Sequence, residues 1–158
     1  LQQKGFKMVN IRNNIFETNS SSVHTIAIAR SDDYRLPKRI TFETDEYGWE
    51  THVLTGQELA NYLYTATQYS RDPISYQEYI EQTLARHGVK CEFHPGGGYI
   101  DHGDGLVDFL NELYFSEEKL LRFLFSDESF IVTGNDNDGC YSDILEDIDT
   151  KDVEIYRK

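Results

Sequence analysis

The chain has 158 residues, with 15 Lys and Arg against 28 Asp and Glu, for a formal net charge of −13. That length suits one domain with a real core, and the charge disfavours direct nucleic-acid binding, because phosphate affinity depends on Lys and Arg. No apolar run approaches the roughly 18 residues of a membrane span, and two cysteines, Cys91 and Cys140, make no disulfide framework and fit a reducing cytosol.

Met8 is the only methionine. The expectation is a natural start there, one domain over residues 8–158, and no part in the fold for residues 1–7. The run 9–16 carries Val9, Ile11, Ile15 and Phe16 and is interrupted by Asn13-Asn14, so it reads as a strand with a bulge or turn. A polar run, Glu17-Thr18-Asn19-Ser20-Ser21-Ser22-Val23-His24, follows and reads as a hydrogen-bonded turn. Thr25-Ile26-Ala27-Ile28-Ala29 has strong strand character, and the alternation over residues 39–44 marks a half-buried strand. Strands this close in sequence predict an antiparallel N-terminal meander.

A central helical pair comes next. Thr55-Gly56-Gln57-Glu58 reads as a capping box ahead of the stripe Leu59, Tyr62, Leu63 and Ala66. Arg71-Asp72-Pro73 reads as a breaker, and Ser75-Tyr76-Gln77-Glu78 as a second box before Tyr79, Ile80, Thr83 and Leu84. Gly88 stops that helix. Residues 89–94 alternate as a strand. Leu106, Phe109, Leu110, Leu113 and Tyr114 predict a third helix, and Ser116 caps a fourth that is apolar nearly all round and so lies in the core or at an interface, the core being the expectation. Residues 129–133 and 152–156 complete the strands, with a turn-rich acidic loop over 134–139. The fold class is α+β, its helices packed on a mixed or antiparallel sheet. With 11 Tyr and 9 Phe, the core should be aromatic-rich, with hydroxyls that need partners.

Three stretches could carry chemistry. Ser22 and His24 share a face if extended, and together with Thr18, Asn19 and Ser20 they form a candidate ligand contact; catalysis would also need an orienting acid. His94, His102 and Asp104 bracket a glycine-rich loop and are candidate metal ligands. On a strand Glu92 shares the face of His94, and Cys91 points away. The loop 135–139 looks like the start of an EF-hand, but the register puts Leu145 where a bidentate Glu is required. The charge itself is uneven. Residues 1–44 carry a net +3 and the remainder −16, and residues 127–154 hold ten acidic residues and one basic, Lys151. Within that tract Asp136, Asp138, Asp143, Glu146, Asp147 and Asp149 are the candidate docking residues for a basic partner.

With Ile11-Arg12-Asn13-Asn14-Ile15-Phe16 before the serine run and Thr25-Ile26 after it, residues 11–26 resemble the opening of small proteins carried by phages and prophages of Gram-positive bacteria. That group has no established activity, so the resemblance transfers no catalytic residue. It implies a mobile-element protein acting in a bacterial cytoplasm. A small acidic phage protein is similar in general character to anti-defence proteins, including anti-CRISPR inhibitors. The leading expectation is therefore a cofactor-free, non-enzymatic inhibitor that binds a basic nucleic-acid-binding surface of a bacterial defence or nucleic-acid-processing protein. The alternatives are a metal- or histidine-dependent hydrolase or nuclease using the loop 94–104, and a nucleotide-binding sponge.

Overall fold

The computed structural model describes residues 22–158. Residues 1–7, the expected strand over 9–16, and Thr18, Asn19 and Ser20 lie outside them. In chain order the elements are β1 (Thr25–Ala29), β2 (Arg39–Glu43), β3 (Glu46–Tyr47), β4 (His52–Leu54), α1 (Gln57–Ala66), α2 (Pro73–Arg86), β5 (Lys90–His94), β6 (Tyr99–Ile100), α3 (Val107–Tyr114), α4 (Glu117–Phe125), β7 (Phe130–Thr133), α5 (Gly139–Asp147) and β8 (Val153–Arg157). The fold is α+β, as the sequence pattern predicts.

Strand β1 does not alternate in polarity because all five of its residues are buried. Such a strand belongs in the middle of a sheet. It pairs antiparallel with β7 on one side and β8 on the other, and β4 extends the sheet to the order β4-β7-β1-β8. The ladder runs on past the start of β1. Ser22 bridges Asn135, the Val23 amide donates to the Gly134 carbonyl at 2.8 Å, and the Lys158 amide donates to the His24 carbonyl at 3.0 Å. Residues 22–24 thus continue the line of β1 rather than forming the expected turn, since the backbone just beyond the ends of β7 and β8 is there to pair with theirs.

Among the described residues the expected sequential meander does not form. β2 pairs with β5 in parallel, from Arg39 opposite Lys90 to Glu43 opposite His94, and β3 pairs in parallel with β6. The two helices between β2 and β5 supply the long crossover that a parallel pair needs. On β5, Cys91 and Phe93 turn inward while Glu92 and His94 face out, as alternation predicts. Phe93 stacks on Phe42 with ring centroids 4.9 Å apart.

The helix signals are partly those read from sequence. The Thr55 amide donates to the Glu58 carboxylate at 3.2 Å, which is half of the predicted box, but Gly56 is the N-cap and the Thr55 hydroxyl takes no part. The second box is not used. Asp72 caps α2 by accepting from the Ser75 amide, and Pro73 occupies the first turn, where its fixed φ is an advantage. Asp72-Pro73 is therefore a start signal, not only a break. Gly88 takes φ +79° after α2, and Ser116 caps α4 through the Lys119 amide.

Leu120, Leu121, Phe123 and Leu124 of α4 are all buried, so the apolar fourth helix is core. It packs on β1, and α1 packs on both α4 and β2, which joins the four-stranded sheet to the parallel ribbon. Buried tyrosines find the partners their hydroxyls need: Tyr76 donates to the Leu110 carbonyl at 2.5 Å, and Tyr141 meets the Thr25 hydroxyl at 2.7 Å.

Candidate functional site

The serine–histidine stretch is built into the fold. His24 is fully buried; its Nε2 lies 3.1 Å from the Gly48 carbonyl and its Nδ1 2.7 Å from the Tyr62 hydroxyl. A carbonyl only accepts, so Nε2 carries the proton and Nδ1 accepts from Tyr62. Burial pushes the His24 pKa from 6.5 down to about 4, against the opposing pull of the Gly48 carbonyl. Ser22 is equally committed. Its hydroxyl donates to the Asp101 carbonyl at 3.2 Å and accepts from the Lys158 ammonium at 2.8 Å, and that ammonium also donates to the Ser22 carbonyl at 3.2 Å. Burial lowers the Lys158 pKa, while Asp101 and Asp104 act the other way. Ser22 and His24 do lean toward the same ribbon, β3 and β6, but each spends its polar atoms on backbone or core partners. Among the described residues the Ser22 hydroxyl meets no imidazole and no carboxylate; its side-chain neighbour is Lys158, and both Ser22 and His24 are buried.

The glycine-rich loop also has a packing role. Among the described residues no group of three or more His, Cys, Asp or Glu side chains is placed to hold a metal ion, so His94, His102 and Asp104 do not assemble the expected ligand set. His94 lies between Glu43 at 3.6 Å and Glu92 at 3.5 Å on the exposed face of the β2–β5 pair. His102 sits apart, in a left-handed conformation ahead of the turn 103–106, with Asp101 at 3.9 Å. Glycine is required between them because the loop crosses the β2–β3 connection at close range. A Cβ on Gly98 would lie 2.5 Å from the Asp45 carbonyl oxygen and 2.7 Å from its amide nitrogen.

The acidic tract is the stretch that stays open. It contains a helix that the sequence reading did not assign. Asp138 caps α5 through the Cys140 amide at 2.9 Å and accepts from the Thr51 hydroxyl at 2.5 Å, and these two bonds, the Thr51 one foremost, hold its pKa down. Tyr141 is buried, and Ile144, Leu145 and Ile148 are half-buried along the same stripe. The opposite face carries Asp143, Glu146 and Asp147, with Asp136 before the helix and Asp149 after it; all five are exposed. Among the described residues none of these five takes part in an ion pair. Around α4, by contrast, Lys119 pairs with Glu112 and Glu154, and Arg122 with Asp32 and Glu118. Helix α5 has no basic residue in its last turn. Glu146 and Asp147 thus oppose the helix dipole, and each lies one turn from the like charge of Asp143. Of the six docking candidates, Asp138 is turned to the fold and five face solvent.

The stripe of α1 marks Tyr62 as a core residue whose hydroxyl needs a partner, but no sequence signal points to His24 as that partner, nor to Lys158 or Asp101 as the partners of Ser22. Trp49 is 51% exposed and donates its indole N–H to Asp101 Oδ2 at 3.0 Å. No protein family, curated protein or solved structure matches this chain. No helix among the described residues is long and apolar enough to cross a membrane.

Proposed function

We propose that the protein is a non-enzymatic interaction protein whose α5 face docks on a basic surface of a bacterial defence or nucleic-acid-processing protein, acting in the cytoplasm as an anti-defence inhibitor of anti-CRISPR character. The observation that carries this reading is the set of five exposed carboxylates at Asp136, Asp143, Glu146, Asp147 and Asp149, without an ion pair among the described residues. Like charges gathered on one helix face cost stability. A cationic partner converts that cost into attraction, speeds encounter and sets orientation. Effectors that hold nucleic acid in positively charged channels offer such a surface, and a carboxylate array occupies it in place of phosphates. The phage-like opening supplies the setting. The test is capture of a partner from a Gram-positive bacterial lysate, followed by a nucleic-acid competition assay on the captured protein. The wild-type chain should displace nucleic acid from it, and the Asp143→Lys/Glu146→Lys/Asp147→Lys variant should not. Equal displacement by both would remove this mechanism.

A further inference from the structure

Beside β3 a cleft of about 380 Å³ opens to solvent, lined by Tyr47, Gly48, Trp49, Glu50, Tyr99 and Asp101 among others. Two large aromatics here stay at the surface, Trp49 at 51% and Tyr99 at 47% exposure. The indole is not free to wander, because its N–H is fixed on Asp101 Oδ2 at 3.0 Å. Glu46, Glu50 and His52 stand in the same lining; among the described residues Glu50 is highly exposed with the His52 imidazole beside it at 3.2 Å, and Asp101 has the His102 imidazole at 3.9 Å. Among the described residues the lining holds no Lys or Arg, and the Lys158 ammonium is spent on the Ser22 hydroxyl and carbonyl. The cleft therefore combines flat π surfaces with carboxylates.

That pairing selects a particular cation. A guanidinium is planar and weakly hydrated; it stacks on aromatic faces while its N–H fork engages carboxylates. An ammonium is a compact, strongly hydrated point charge that uses neither plane nor fork. The cleft is also continuous with the acidic helix. Asn135 donates its side-chain amide to the Trp49 carbonyl at 3.2 Å, Thr51 donates to Asp138 at 2.5 Å, and Thr133 is part of the cleft wall. A basic surface lying on α5 thus has this cleft at its edge. We infer that the cleft receives an arginine side chain of the basic partner, its guanidinium on the Trp49–Tyr99 surface and paired with the Asp101 and Glu50 carboxylates. The inference rests on the reading that the partner is basic, and it names the anchor residue on the partner's side.

Trp49 is the only tryptophan, so its indole ¹H–¹⁵N signal reports on the cleft alone. Nα-acetyl-arginine-N-methylamide titrated into the full chain should shift that signal saturably. The neutral citrulline analogue should bind about five-fold weaker or less well still, and the lysine analogue should also bind more weakly. Asp101→Asn and Tyr99→Ala should each weaken the arginine compound about two- to five-fold with the rest of the spectrum unchanged. The conservative Asp101→Asn keeps an acceptor for the indole, so it separates lost charge from lost packing. Absence of a saturable shift overturns the inference, and so does a citrulline or lysine analogue that binds as well as arginine. The variant Asp143→Lys/Glu146→Lys/Asp147→Lys should bind the arginine compound as the wild type does. A loss of partner capture in that variant, with no indole shift in the wild type, would sink the cleft and leave the acidic face standing. An indole shift with capture unaffected by charge reversal would do the opposite.

Discussion

The Tyr62 hydroxyl donates to Nδ1 of His24 across 2.7 Å inside the core, and this one bond ties the start of the central sheet to helix α1. In this direction it exists only while the imidazole is neutral, because a protonated ring has no acceptor to offer and would donate to the phenol oxygen instead. The same ring holds the Gly48 carbonyl. A histidine in a run of serines therefore serves the fold by staying uncharged.

A pH dependence follows with a definite sign. Between 6.5 and about 4 the unfolded chain takes up a proton on His24 that the folded chain refuses. Its contribution is fully present above the unfolded value and is lost as pH falls toward the folded one, by about 3 kcal/mol in all. Urea unfolding compared near pH 7 and about pH 5 should show this slope, and His24→Gln should abolish that part of it.

Removing the hydroxyl on the other side should be costly for a different reason. Tyr62→Phe keeps the ring packing and leaves Nδ1 of a buried imidazole unsatisfied, a loss of about 1–3 kcal/mol by chemical denaturation. Aromatic packing on Tyr47, at a centroid distance of 4.9 Å, is retained in that variant.

Ser22 offers a sharp separation of structural from catalytic roles. Its hydroxyl joins the Lys158 ammonium to the Asp101 carbonyl. Ser22→Ala should cost about 1–3 kcal/mol of stability, the penalty for unsatisfied buried partners. Partner capture by the folded variant should remain at the wild-type level, and the wild-type serine should not label with a fluorophosphonate.

Two neighbouring glycines should respond in opposite ways. Gly98→Ala drives a methyl into the Asp45 backbone and should destabilise by about 1–3 kcal/mol. At Gly97 a Cβ meets nothing within 4 Å, so Gly97→Ala should be close to neutral. Thermal melts of the two variants check this. An equal response would contradict the packing role assigned to the loop.

Much of the fold was legible in the sequence where the signal is local. The Gly88 stop, the Ser116 cap, the alternation in β5 and the apolar wrap of α4 each encode their own conformation. Partner choice is not local. Nothing within residues 39–43 says that their neighbour lies at 90–94, some fifty residues on, rather than in β1. Asp72-Pro73 carries the composition of a breaker and of a helix start alike, and only the chain beyond it decides. Helix α5 carries a local signal as well, with Asp138 at the cap and Tyr141, Ile144, Leu145 and Ile148 at helical spacing, but the density of carboxylates around it masks that pattern. For the site, exposure of the acidic face followed from composition. The burial of Ser22 and His24 did not, because their partners Tyr62, Asp101 and Lys158 are distant in sequence.

The charge arrangement on α5 gives the cleanest test of the whole account, because reversal should not damage the fold. Lysines in place of Glu146 and Asp147 complement the negative end of the helix dipole and relieve like-charge crowding, so the variant should melt no lower than the wild type. The decisive measurement is the association rate of the captured partner with wild-type and Asp143→Lys/Glu146→Lys/Asp147→Lys protein across a range of salt concentrations. The acidic-face account predicts a wild-type rate that falls steeply with salt and a variant rate lower by about ten-fold or more at low salt, with little salt dependence. Equal rates with equal salt dependence in a folded variant would contradict it.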